Sequence, residues 1–326
     1  MYNKYNYVLR GEEIVSVFCS EKVIKQRVSE CDWATYLVGF DLKDDGTKEY
    51  RLNSLIKVLM SVIPEFAFGF HDGTETRNTE LISKVSEAAK AIYKIDEFQK
   101  VKDIYLNGEY IEDDDLANKY LRRGEFGELI LHLILRDFYS TIPLLSKIFF
   151  KDSYGHTVHG FDAVHIEPDS KTLWLGESKL YGNGKKGVKA LIQDIKEHIL
   201  RDYLNDEFAL VSKKIKIFDN IQEKEYWLDI LNDSNTLSEK LNSITIPLLC
   251  TYSSNNFIKH NDETTQEFID DYEREVEELK RYFDENNDHP LKTHINIILI
   301  LFPVKCKNEL IKKLHYKLSL LQELGE

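Results

Sequence analysis

The sequence predicts an α/β fold, a mixed sheet flanked by helices, with an N-terminal α+β region ahead of it. Three observations predict it. First, two short apolar runs, residues 158–164 and 173–180, flank a Pro168-Asp169 turn and read as paired strands. Second, amphipathic patterns precede and follow this pair at about 121–139 and 187–205, and strand-like runs return at 244–252 and 294–304. Third, residues 8–42 alternate or run apolar, as in Ile14-Val15-Ser16-Val17-Phe18 and Thr35-Tyr36-Leu37-Val38-Gly39-Phe40, so the chain opens on strands.

Taken in order, the N-terminal strands lead into a helix at 53–62, which Pro64 is expected to end. A short strand at 65–70 and a helix at 78–93, opening on Thr79-Glu80, come next. The polar stretch 107–115 reads as a linker, dividing an N-terminal region, residues 1–115, from a core, residues 116–326. The core is expected to run helix, short helix, strand (158–166), strand (173–180) and helix (187–205). A polar insertion within 206–243 carries a helical segment at 226–231. Strand 244–252, a highly charged helix at 264–286, strand 294–304 and an amphipathic C-terminal helix at 308–324 complete the chain.

The 326 residues, 42% hydrophobic, suffice for one large domain or two modest ones. The net charge of −13 argues against autonomous capture of nucleic acid by a broad basic surface. The charges are segregated, however: Lys185, Lys186 and Lys189 cluster after the second strand, while acids crowd 113–115 and 262–288. Four scattered cysteines, Cys19, Cys31, Cys250 and Cys306, show no zinc spacing and suit a reducing cytosol. With no signal-peptide pattern, and with its most apolar stretch (295–304) too short to span a bilayer, the chain is expected to be cytoplasmic, without a membrane partner.

Chemistry concentrates in Val158-His159-Gly160-Phe161-Asp162-Ala163-Val164 and Leu173-Trp174-Leu175-Gly176-Glu177-Ser178-Lys179-Leu180. Strand side chains alternate, so Glu177 and Lys179 share a face, and pairing of the two runs brings Asp162 beside them. Glu-X-Lys alone is common on solvated strand edges. An acid emerging from Leu-Trp-Leu-Gly is rarer, and a second acid in an equally apolar strand rarer still. Two carboxylates and an ammonium at the rim of an apolar sheet suit a hard divalent cation, Mg²⁺ or Mn²⁺, with the lysine over a scissile phosphate. Asp162 and Glu177 are the expected ligands, with the Ser178 carbonyl a further one. Glu128, in a largely apolar helix, is favoured as a third acid, with Glu125 on the same helical face in reserve. Gln193 either orients water or the lysine or lies on the surface. Lys185, Lys186 and Lys189 either contact phosphate or form a solvated turn. Their Gly-Asn-Gly-Lys-Lys-Gly run is not a Walker A loop, because the spacing is wrong and no Ser/Thr follows the lysine. His159 and His165, three residues either side of Asp162, face away from it and read as structural.

The Asp…Glu-X-Lys set, with the helix Arg122-Arg123-Gly124-Glu125-Phe126-Gly127-Glu128 ahead of it, resembles the PD-(D/E)XK nuclease superfamily, although Gly160-Phe161 replaces the proline of the nominal motif. That resemblance implies a restriction-endonuclease-like core and Mg²⁺-dependent phosphodiester hydrolysis. It also implies catalytic roles for Asp162, Glu177 and Lys179 and an auxiliary glutamine or lysine on the following helix, the slot of Gln193. More narrowly, Gly-Glu-Phe-Gly-Glu, His-Gly-Phe-Asp-Ala-Val-His and Leu-Trp-Leu-Gly-Glu-Ser-Lys-Leu-Tyr-Gly-Asn-Gly, with the long N-terminal region, resemble the HamA family of the Hachiman anti-phage system. The family likeness implies a DNase effector acting on DNA and restrained by a helicase partner, HamB, with residues 1–115 the expected docking region. The alternative is a nuclease-fold module that binds nucleic acid, or senses a partner, without cleaving.

Overall fold

The most apolar stretch of the chain lies inside the sheet. In this computed structural model, which describes residues 16–74, 80–92, 124–146, 160–217, 223–232 and 234–324, β9 (Asn296–Val304) pairs in parallel with β8 (Ile244–Ser253), and β8 pairs in parallel with β7 (Thr172–Tyr181). Strands buried on both faces read as continuous apolar runs, and Ile297-Ile298-Leu299-Ile300-Leu301-Phe302 is such a run. Beyond β7 come β6 (Ala163–Glu167) and β5 (Ile142–Ser146), both antiparallel to their neighbours. Beyond β9 come β2 (Trp33–Val38), parallel to it, and β1 (Ile24–Ser29), antiparallel to β2. The result is the expected mixed sheet, seven strands in the order β1-β2-β9-β8-β7-β6-β5. A small hairpin, β3 (Phe40–Leu42) with β4 (Lys48–Tyr50), lies apart from it.

Helices cover both faces. On one lie α1 (Leu52–Thr74), α2 (Leu81–Ile92), α3 (Glu125–Phe138) and the C-terminal α10 (Lys307–Glu323). The other carries α4 (Gly184–His198) and, packed beside it, α9 (Gln266–Asn286). Between α4 and β8 the chain forms α5 (Arg201–Ile217) and the short α6 (Lys224–Ile230) and α7 (Leu237–Leu241), and a single turn, α8 (Asn256–Lys259), precedes α9.

Several elements differ from expectation, each for a physical reason. The first helix does not end at Pro64, and no strand forms at 65–70. Leu59, Val62, Ile63, Phe66 and Ala67 keep a helical period across the proline and are all buried, so packing outweighs the lost hydrogen bond. The helix breaks instead at Gly69, with φ 83°. Its window Leu52–Gly69 is long and apolar enough to cross a membrane by composition, but 50% of it is buried within this protein. β5, paired with β6, occupies part of the stretch between 139 and 158 where a short helix was expected, and the part of that stretch beyond it lies outside the described residues. The helix expected at 187–205 is two helices, separated at Ile199-Leu200. The strand expected from 158 begins only at Ala163, and residues 147–159 lie outside the described residues. No strand occurs at 16–18.

The boundary expected at 107–115 also lies outside the described residues. On its N-terminal side, however, β1 and β2 extend the same sheet as β7–β9. A buried carboxylate ties these strands to the segment before α9. Glu263 accepts from Lys25 Nζ at 2.6 Å and from the Phe40 N–H at 3.0 Å, and its backbone carbonyl accepts from Arg27 at 2.8 Å. The carboxylate passes so close to Gly39 that a Cβ there would lie 2.2 Å from Oε1. Gly39→Ala must therefore displace a buried, paired carboxylate. The expected loss is about 1–3 kcal/mol of unfolding free energy, read as a lower denaturant midpoint; an unchanged midpoint would refute the tie.

Candidate active site

The site is built by a strand that stops early. In the antiparallel β6–β7 pair Ala163, the first residue of β6, lies opposite Gly176, so the residue just before the strand, Asp162, comes level with Glu177. The Asp162 N–H donates to the Gly176 carbonyl at 2.8 Å, at the edge where the chain enters the sheet. Freed from the strand, Asp162 turns its Oδ2 to accept from both the N–H and the Oγ–H of Ser178, each at 2.9 Å. Even-numbered residues of β7 face α3: a Cβ on Gly127 would lie 3.2 Å from Ser178 Oγ. Odd-numbered Glu177 and Lys179 face α4, as period-two alternation requires. There Lys179 Nζ pairs with Asp194 Oδ2 at 2.5 Å, and His198 Nδ1 lies 2.7 Å from Glu177 Oε1. Asp194 and His198 sit one helical turn apart on α4.

The electrostatics follow from burial. Glu177 is only 4% exposed. Desolvation, followed by the neighbouring negative charge of Asp162, pushes its pKa to about 7 despite the His198 hydrogen bond. Burial works against the charge of Lys179, but the Asp194 carboxylate, with Glu177 and Asp162 behind it, outweighs that and raises its pKa. His198 is likewise raised: burial opposes its charge, and the Glu177 carboxylate overcomes the opposition. Its ring lies flat on Tyr203 of α5, with centroids 4.6 Å apart and planes 6° from parallel, and Phe161 stands edge-on to both rings. Glu207, buried in α5, accepts from the Phe161 N–H, and burial lifts its pKa to about 7.

Burial first, and then the negative charge of Asp162, pushes Glu177 toward its neutral form; a hard cation beside this pair of buried carboxylates relieves both effects, so these residues fit Mg²⁺ or Mn²⁺. Among the described residues no three His, Cys, Asp or Glu side chains are grouped to hold one ion. The protein offers the two carboxylates and the adjacent backbone instead.

The structure thus brings together Asp162, Glu177, Ser178 and Lys179. Glu128 is buried in the first turn of α3, across the sheet from Glu177 and Lys179, with Glu125 half-buried beside it. Gln193 is turned to solvent, where it donates to Glu197 at 2.6 Å, and its neighbour Asp194 takes the inward position. Lys185, Lys186 and Lys189 are exposed on the first turns of α4, whose N-terminus Asn183 caps through the Lys186 N–H; Lys185 Nζ lies 4.7 Å over the Tyr282 ring. His165 faces α3, bonded to Thr141 and edge-on to His132, while His159 lies outside the described residues. Asp194 and His198 escaped the sequence reading. Their one signal is an acid and an imidazole spaced i, i+4 along the apolar stripe of the helix that follows Glu-X-Lys.

A pH dependence follows from Glu207. Its folded pKa, about 7 against an ordinary 4.5, favours the protonated fold, so this contribution is fully present below 4.5 and is lost as pH rises through 7. Glu207→Gln keeps an acceptor for Phe161 and removes the titration. Relative to the parent, the melting temperature of this variant is expected to rise steadily across that interval; a difference independent of pH would refute the assignment.

A search of the curated proteins finds no match to the chain. One family model does match, HamA, over residues 18–318. That span takes in the N-terminal strands, the β6–β7 site, α4, α9 and most of α10, so the chain belongs to the HamA family, a component of the Hachiman anti-phage defence system.

Proposed function

We propose that this protein is a metal-dependent deoxyribonuclease, the cytoplasmic effector of a defence pair whose other member is the helicase HamB. One observation carries the catalytic reading. Two buried carboxylates, Asp162 and Glu177, lie close enough for the charge of one to act on the other, and Lys179, two residues along the same face of the strand as Glu177, is held in its charged form. Asp162 and Glu177, with the Ser178 carbonyl, hold the cation, and Glu128 backs the site from the α3 side. Bound there, Mg²⁺ or Mn²⁺ supplies neutralisation of the scissile phosphate and a bound water of lowered pKa. Lys179 keeps its proton and offers it as a hydrogen bond to the attacking water or to the phosphate oxygens on which charge develops. Asp194 holds the ammonium in place between turnovers. Lys185, Lys186 and Lys189 contact backbone phosphates at the mouth of the site, and Gln193, facing solvent, takes no part.

The helicase half of the proposal draws on family membership and on charge. A chain of net charge −13 is poorly suited to capturing DNA unaided, and a motor that presents the strand removes that difficulty. We place docking on residues 1–115, whose β1 is an edge strand with mostly exposed side chains.

Plasmid incubated with the chain and its helicase is expected to be degraded with Mg²⁺ or Mn²⁺ and left intact in EDTA. Lys179→Ala is expected to reduce the rate by about 10²–10⁴ with unfolding unchanged. Cleavage that survives EDTA, or full activity in the variant, would overturn the site. Co-expression with HamB is expected to give a stable complex in which hydrogen exchange slows at β1. Separate elution of the two proteins would remove the partnership, and protection confined to α9 would move the interface there.

A further inference from the structure

The acids of the site are set by a common group of aromatic side chains. Glu177 projects from a rigid strand, yet its carboxylate has free torsions, and a ligand that wanders binds a cation weakly. His198 removes that freedom by holding Oε1 at 2.7 Å, which leaves Oε2 for the ion. His198 is in turn fixed from outside its own helix. α4 ends at this residue, the chain turns at Ile199-Leu200, and the first turn of α5 brings Tyr203 flat against the imidazole at 4.6 Å. Phe161 stands edge-on to His198 and Tyr203, at 6.1 Å from each, and is the residue immediately before Asp162. Behind Phe161, a Cβ on Gly160 would come within 3.0 Å of Glu207 Oε2, so the segment carrying Asp162 rests directly on α5.

We infer that His198, clamped by Tyr203, is a positioning residue that fixes the Glu177 carboxylate for the cation, and that Phe161 links this clamp to Asp162. The inference rests on the metal-dependent reading above. His198 is assigned no contact with the reacting atoms. Its effect passes through Glu177.

The test is Mn²⁺ binding by the full chain, followed by the loss of the free-ion electron paramagnetic resonance signal, with no DNA present. His198→Ala is expected to weaken binding about 10- to 100-fold. Tyr203→Ala should act in the same direction, and Tyr203→Phe should leave affinity near that of the parent because the stack survives. His198→Asn should recover part of the loss, since its amide nitrogen stands where Nδ1 does. Thermal unfolding of each variant separates folding from positioning. If His198→Ala binds Mn²⁺ like the parent while Glu177→Ala does not, the positioning role is overturned. It is also overturned if affinity falls only in step with the melting temperature and His198→Asn restores nothing. A parent that takes up no Mn²⁺ at all overturns the metal-dependent reading, and this inference with it.

Discussion

The antiparallel register of β6 against β7 is the constraint on which the site depends. It sets Ala163 against Gly176, and hence Asp162 against Glu177, and it ends there. A one-residue slip of β7 would turn Glu177 and Lys179 toward α3 and Ser178 toward α4. Their partners Asp194 and His198 would then lie on the wrong side of the sheet. Local packing pins the register. A Cβ on Gly176 would lie 2.8 Å from Leu131 of α3 and 3.3 Å from Pro247 of β8, so only glycine lets strand and helix approach this closely.

Two glutamates of equal burial show what distinguishes structure from chemistry here. Glu65 and Glu177 are each 4% exposed. Burial pushes both toward the neutral form, but for Glu65 the response of the surroundings is complete. His132 lies at 3.0 Å, Arg136 donates from Nε at 2.6 Å and from Nη2 at 3.2 Å, and the net effect is a lowered pKa. That network continues through Arg136 to the Thr141 carbonyl and through the Thr141 hydroxyl to His165, joining α1, α3, β5 and β6. Glu177 has one imidazole to set against its burial and against the nearby charge of Asp162, so its pKa rises. Paired buried charge holds elements together, whereas buried carboxylates left without enough opposite charge mark a place suited to a cation.

Much of this arrangement is legible in the sequence, and the remainder is not for definable reasons. The common face of Glu177 and Lys179 follows from alternation alone. Bringing Asp162 to them needs only that two adjacent runs pair. The inward residues of α4 are harder: a helix places every third or fourth residue on one side, and choosing between Gln193 and Asp194 requires the helix phase, which apolar spacing fixes only to within a residue. The continuation of α1 through Pro64 and the strand at Ile142–Ser146 reflect tertiary contacts overriding local preference. β5 forms because β6 offers it an edge, not because its own residues demand a strand. Membership of β1 and β2 in the main sheet has no local signature, since parallel pairing with β9 joins distant parts of the chain.

That distant pairing bears on when the protein comes into being during synthesis. β2 lies beside β9, so Trp33 cannot meet Leu299 until everything between them, and β9 itself, has left the ribosome. β8, the neighbour that supports β7 along its length, has β9 on its other side. Sheets closed by such remote contacts form late and slowly, and a partly made chain has no stable way to complete them. For a component of a defence system, late closure means that chains interrupted before β9 would lack the assembled sheet on which the site stands.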